Sequence, residues 1–218
     1  MILAVFDLDG TIANSGPQIL AAMHRGFAAA GLRAPDDRSI LSVVGLSLPV
    51  AVARLAPGVE ARVRDEIVAA YRAAFFADPT PPRLYSGAAA TLRALRDDTG
   101  LCLAIASGKT RRGIERVLAQ HGLSHLFSSL QGGDEHPSKP DPAMLDAAMR
   151  AVGARPAETV MVGDSPYDIR MARDAGVAAV GVAWGYGSTA ALRAGGAVAI
   201  ARAFDDLPRH IAQIRAAA

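Results

Sequence analysis

Apolar positions along this chain fall into two periods. Ile2-Leu3-Ala4-Val5-Phe6, Leu101-Cys102-Leu103-Ala104-Ile105-Ala106 and Thr159-Val160-Met161-Val162 are short, nearly continuous apolar runs. Runs of that length, closed by polar residues or glycine, predict buried strands rather than helices. Shorter runs at Phe127–Gln131 and Ala178–Val182 predict two more. Between them, apolar residues recur every three or four positions and predict helices over about Gly87–Asp98, Thr110–His121 and Tyr167–Asp174. A further helix opens at Asp141-Pro142, which resemble an N-cap and first-turn proline, and stops at Gly153. A last amphipathic helix is expected near Leu207–Ile214. From Tyr85 onward strand and helix alternate, which predicts an α/β fold: a doubly wound parallel sheet covered on both faces.

The stretch from Asn14 to Arg83 breaks that rhythm. It carries no strand signal. Ile19-Leu20, Met23 and Phe27 share a helical face, as do Val63, Ile67, Ala70-Tyr71 and Ala74-Phe75. Ile40–Leu55 also looks helical but is interrupted by Gly45 and Pro49. Ala77-Asp78-Pro79-Thr80-Pro81-Pro82 forms a breaker-rich exit. The expected organisation is an α/β core from residues 1–13 and 84–218, with residues 14–83 inserted as a small helical cap domain.

Each main strand ends in polar residues, where open α/β sheets bind ligands. The first ends in Asp7-Leu8-Asp9-Gly10-Thr11, the second in Ser107-Gly108-Lys109, the third in Gly163-Asp164-Ser165-Pro166-Tyr167-Asp168. If the extended conformation persists past Phe6, Asp7 and Asp9 point one way and Leu8 points back into the core. Buried acids are costly without a positive partner, and a metal ion would supply one. A lone lysine follows the second cluster in Ser138-Lys139-Pro140-Asp141-Pro142.

Composition sharpens this picture. Only two of the 23 basic residues are lysines, Lys109 and Lys139, and both fall inside these clusters. A lysine is a compact point charge suited to meeting an anion in a cleft. The net charge is +2, with no basic run and no aromatic-basic interleaving, so nucleic acid is not an expected partner. No apolar stretch reaches the roughly 18 residues of a membrane span. The apolar start breaks at Asp7 without a targeting pattern, so the expected location is cytoplasmic. Cys102 is the single cysteine, expected as a buried, inert thiol in its strand. His121 and His125 have ligand spacing but no accompanying cysteine or acidic pattern for zinc.

In order, Asp-x-Asp-Gly-Thr, Ser, Lys and Gly-Asp-x-x-x-Asp resemble the haloacid dehalogenase-like (HAD) hydrolase superfamily in its phosphatase form. The resemblance spans nearly the whole chain. It implies that Asp7 is a nucleophile forming an aspartyl-phosphate, and that Asp9 is a general acid and then base. Thr11 would hold Asp9. Ser107 and the Gly108 N–H would bind phosphoryl oxygens, and Lys139 would balance the charge of Asp7 and the phosphate. Asp7, Asp164 and the Asp9 backbone carbonyl would hold Mg²⁺. Asp168, one helical turn on, would reach the same site or orient Asp164 and Lys139.

Within the superfamily, Asp9 favours phosphoryl chemistry over dehalogenation. The absence of lysine from Asn14–Arg83 argues against the Schiff-base chemistry of phosphonate-cleaving relatives. Lys109 directly after Ser107-Gly108, Gly132-Gly133-Asp134, and Trp184-Gly185-Tyr186-Gly187 look like the phosphoglycolate phosphatase-like branch. Asn14-Ser15 and Ser107-Gly108 depart from the Asp-Ser and Thr-Asn common there. The implied partner is a small phosphorylated metabolite, acted on by a monomer or homodimer. Gly45-Leu46-Ser47 is a candidate cap contact to substrate, with a plain helix break as the alternative. A sugar-phosphate mutase, or a phosphate-binding protein without turnover, remains open at this point.

Overall fold

A computed structural model describes residues 2–217. Six parallel strands form one sheet in the order β5-β4-β1-β6-β7-β8. These are β1 (Ile2–Phe6), β4 (Leu101–Ser107), β5 (Phe127–Gly132), β6 (Thr159–Gly163), β7 (Ala178–Val182) and β8 (Ala199–Ala201). Two short strands, β2 (Ala13–Asn14) and β3 (Arg83–Leu84), pair antiparallel outside it. Helices α1 (Gly16–Ala29), α2 (Asp37–Ser42), α3 (Leu48–Leu55) and α4 (Ala61–Ala77) lie between β2 and β3. Helices α5 (Ala88–Asp97), α6 (Arg111–Gln120), α7 (Ala143–Val152), α8 (Pro166–Asp174), α9 (Thr189–Gly195) and α10 (Leu207–Ala217) connect or follow the sheet strands.

The doubly wound sheet expected from the alternating pattern is the one observed. Successive side chains of a strand face opposite sides, and β1 feeds both cores. Ile2, Ala4 and Phe6 pack with Leu92 of α5 and Ile114 of α6, while Leu3 and Val5 pack with Met144 and Leu145 of α7 and Ile169 of α8. This is why β1 reads as a continuous apolar run. Phe6 stands beside Ile105 on β4 and Val162 on β6, so the three central strands end level with one another. Their polar tails, beginning at Asp7, Ser107 and Asp164, therefore share one edge of the sheet.

Helices α1–α4 surround an apolar cluster of their own, with Ile19, Met23, Phe27, Ile40, Val52 and Ile67 all buried. The helical signal over Ile40–Leu55 resolves into α2 and α3, broken where Gly45 takes φ +102°. The second connection back to the sheet is held by α6. The Arg116 guanidinium donates to the carbonyls of Phe76 (3.2 Å) and Asp78 (2.6 Å), and the His121 ring lies 2.8 Å from the Pro82 carbonyl.

Four elements escaped the periodicity: β2, β3, α9 and β8. The first two are two residues long, and α9 buries a single side chain, Leu192. Such pieces are fixed by neighbours rather than by an internal pattern. Helix α7 begins at Ala143, with the Asp141 carboxylate accepting the Ala143 N–H at 3.0 Å. Cys102 is half-buried rather than fully enclosed. No helix among the described residues is long and apolar enough to cross a membrane.

The level packing of β1, β4 and β6 has a measurable consequence. Ile105 is fully buried at the middle strand pair. Ile105→Ala should cost about 2–5 kcal/mol of unfolding free energy, read from the urea midpoint.

Candidate active site

The chain leaves β1 by a tight turn. The Asp7 N–H donates to the Val162 carbonyl at 2.9 Å, keeping Asp7 in the sheet's line. Leu8 returns to the core, as its alternation predicts. The Ile12 and Ala13 N–H groups then both converge on the Leu8 carbonyl at 2.9 Å. The extended conformation thus ends at Leu8, and the two acids of the first cluster acquire different partners.

Asp7 faces a buried lysine. Lys139, with its side chain fully enclosed, places Nζ 3.1 Å from Asp7 Oδ1 and donates to Asp168 Oδ1 at 2.6 Å. Asp168 Oδ2 in turn accepts from the Ser165 N–H (3.0 Å) and hydroxyl (2.7 Å) in a capping box at the start of α8. Both Asp168 oxygens are therefore committed, and Asp168 anchors Lys139. Asp164 is held separately: Oδ1 accepts the Thr11 hydroxyl at 3.0 Å and Oδ2 the Tyr186 N–H at 2.8 Å. Thr11 therefore holds Asp164 and not Asp9, because the turn at Leu8 aims it across to β6.

Carboxylate oxygens of Asp7, Asp164 and Asp168 lie within 4.8 Å of one another, all buried. Of these three carboxylates, Asp7 and Asp168 share one ammonium. Burial pushes the Asp7 carboxyl up to about 7, against the pull of Lys139, with the Asp168 and Asp9 charges adding to the rise. Burial likewise pushes Asp164 well above the usual range, helped by Asp168 and Asp7. Burial works against the Lys139 charge, but Asp168 and Asp7 outweigh it and hold its pKa above the ordinary value. Neither oxygen of Asp7 accepts a well-aligned hydrogen bond among the described residues. Buried carboxylates left this way call for a cation, and an all-oxygen donor set suits a hard divalent one. The residues present fit such an ion.

Asp9 pairs with the other lysine. Lys109 Nζ stands 3.0 Å from Asp9 Oδ2 and 4.3 Å above the centre of the Phe75 ring, which belongs to α4. Ser107 is buried at the end of β4, its Oγ accepting weakly from the Lys109 N–H at 3.4 Å. A Cβ on Gly108 would overlap the carbonyls of Gly45 and Leu46, so only glycine admits the helical layer this close. Gly45 itself packs against Ser165, and the neighbouring Ser47 N–H donates to the Ser138 hydroxyl at 2.9 Å. The Gly45-Leu46-Ser47 break thus seats the helical layer on the sheet edge.

Sequence reasoning missed the supports. Ser165, the Tyr186 N–H and Phe75 all hold site residues, and Trp184 Nε1 donates to the Thr11 carbonyl at 2.9 Å. The Ser165-Pro166-x-Asp168 spacing was a readable capping signal; a backbone donor such as Tyr186 leaves no mark in sequence.

The folded Asp7 carboxyl titrates near 7 against about 3.9 unfolded. Between those values the folded state keeps a proton that the unfolded state has released. In chelator, stability should therefore fall as pH rises through that window, by up to about 1.4 kcal/mol per pH unit for one such group. Asp7→Asn should escape this loss and gain on the parent from pH 4 to 7 in urea titrations. An unchanged difference would contradict the charge imbalance. Lys139→Met should instead cost about 3–5 kcal/mol, the range for leaving a buried charge unpaired.

Residues 4–182 match the family model described as haloacid dehalogenase-like hydrolase. A protein named probable phosphatase IndB from Dickeya dadantii is 35% identical over 88% of this chain and 85% of its own length. A phosphoglycolate phosphatase from Pseudomonas putida is 35% identical over 84% of this chain and 70% of its own. The crystal structure of a predicted phosphoglycolate phosphatase from Haemophilus somnus superposes with a TM-score of 0.86 at 26% identity, covering 96% of this chain and 97% of that one. With its sheet order, its four motifs along one sheet edge and these matches, the chain belongs to the haloacid dehalogenase-like hydrolase family.

Proposed function

We propose that this hydrolase cleaves a small phosphomonoester through an aspartyl-phosphate on Asp7, with Mg²⁺ as the metal. The observation that carries the reading is Asp7 itself: a buried carboxylate beside a lysine, with neither oxygen engaged in an aligned hydrogen bond. A nucleophile must present a free oxygen, and a structural acid would be expected to have spent both.

Asp7 attacks phosphorus as the ester P–O bond breaks. Asp9 gives a proton to the departing oxygen. It then takes one from the water that attacks phosphorus, the Asp7–phosphorus bond breaks, and inorganic phosphate leaves. Lys139 offsets negative charge as the two anions approach, and Asp168 keeps it aimed at Asp7. The Ser107 hydroxyl and the Gly108 N–H would bind phosphoryl oxygens. Asp7, Asp164 and the Asp9 carbonyl would hold Mg²⁺, which when bound supplies charge neutralisation and orients a phosphoryl oxygen.

Residues 14–83 serve in this reading as a cap that shields the reaction from water. Its hinges would lie near Asn14–Gly16 and Thr80–Arg83. The cap reaches the chemistry through Phe75, which contacts Lys109, the partner of Asp9, and through the Gly45 and Leu46 carbonyls that pack against Gly108. The names of the relatives make phosphoglycolate the first ester to assay.

Asp7→Asn should abolish turnover, by at least about a thousandfold as for other lost nucleophiles, while circular dichroism stays native. Asp9→Asn should lose turnover but still bind a beryllium fluoride mimic. Chelation should remove parental activity, Mg²⁺ should restore it, and Ca²⁺ should not, because its looser coordination misplaces the nucleophile. Full activity in excess chelator, or in a folded Asp7→Asn protein, would refute the mechanism.

A further inference from the structure

The acid-lined sheet edge opens into a cavity of about 390 Å³ between the helical layer and the sheet. Asp9, Ser107, Gly108 and Lys109 line one end of it. The rest of the wall is dominated by Met23, Ile40, Val43, Leu46, Tyr71 and Phe75. Pockets of about 300–1,000 Å³ are the size that encloses drug-sized organic ligands, well beyond what a two-carbon acid fills.

The two cations among the described lining residues are either paired or solvent-exposed. A substrate with a carboxylate beside its phosphate needs a free cation close to the phosphate end. Among the described lining residues, Lys109 is engaged by Asp9 at 3.0 Å, and Arg72 lies exposed on α4. Asp134, also on the wall, accepts the Arg111 N–H and would repel a second anion. Tyr71 contributes a neutral phenol, since burial and the Asp9 charge both oppose its ionisation.

We propose that the substrate carries a bulky, uncharged apolar group on its phosphate ester, and that this cavity selects it over phosphoglycolate. The inference rests on the phosphomonoesterase reading above and specifies its substrate class. Continuity with Asp9 and Ser107 identifies the occupant: whatever is esterified to a phosphate held at that end must extend along the Val43–Leu46 and Phe75 walls. The same wall explains why a glycine break precedes Leu46. The turn at Gly45 presses the Leu46 carbonyl against Gly108 while its buried side chain joins the apolar cluster of Val43 and Ala51.

Ethyl, butyl and hexyl phosphate test this, because their leaving alcohols have nearly equal basicity and differ in apolar length. Burying each added methylene should raise kcat/KM about fourfold (about 0.8 kcal/mol), so that hexyl phosphate exceeds ethyl phosphate on the order of a hundredfold. Hexyl phosphate should also exceed phosphoglycolate. Calorimetric binding to Asp7→Asn, and to Asp9→Asn as a second inactive protein, should follow the same order. Val44 and Leu48 line the cavity and are only half-buried. Val44→Trp or Leu48→Trp should collapse the chain-length gain by filling the space. A flat or falling series, or phosphoglycolate preferred in both turnover and binding, overturns the proposal. If turnover of every ester is absent but binding still tightens with chain length, the cavity assignment stands and the phosphatase reading fails.

Discussion

The Asp7 side of the sheet edge depends on one buried ammonium. Lys139 is enclosed on all sides, yet it stays charged because Asp168 and Asp7 face it from two elements. Taking a lysine out of water is costly unless its partners are fixed. The fixing comes from the helix cap of α8, where Ser165 occupies the second Asp168 oxygen. The local rule that starts a helix thereby sets the position of a charge beside the candidate nucleophile. Asp164 is braced independently by Thr11 and the Tyr186 N–H. The cluster remains one divalent cation short, a deficit that marks it as a candidate metal site.

Lys109 divides the site into two electrostatic halves. One lysine serves Asp7 and the other serves Asp9, because the chain turns sharply at Leu8 instead of continuing as a strand. The Asp9 half touches the helical layer through Phe75, and the Asp7 half touches it through Gly45 against Ser165 and the Ser47 N–H on Ser138.

Much of this was readable from the chain. Strand runs such as Ile2–Phe6 and Thr159–Val162 announce a sheet buried on both faces, and the tails after them announce the edge where the buried acids gather. The helical insertion followed from the loss of strand signal after Asn14. Three things were not readable. Thr11 bonds Asp164 because of a turn whose donors are backbone groups. Elements β8 and α9 bury too little to impose a period. The cavity's apolar character depends on which faces of α1, α2 and α4 meet across space, which the helical repeat of one segment cannot show. The same repeat that marks Met23, Ile40 and Phe75 as core residues also places them on the cavity wall.

The scarcity of lysine has an analytical consequence. The chain's two side-chain amines are Lys109, 9% exposed, and Lys139, fully enclosed. A reagent that acylates amines would find almost no side-chain amine to modify on the closed molecule. Labelling at Lys109 would require Phe75 and its helix to lift away, whereas labelling at Lys139 would require the sheet edge itself to come apart. Mass spectrometry of the two peptides would then distinguish breathing of the helical layer from global unfolding, with no introduced probe.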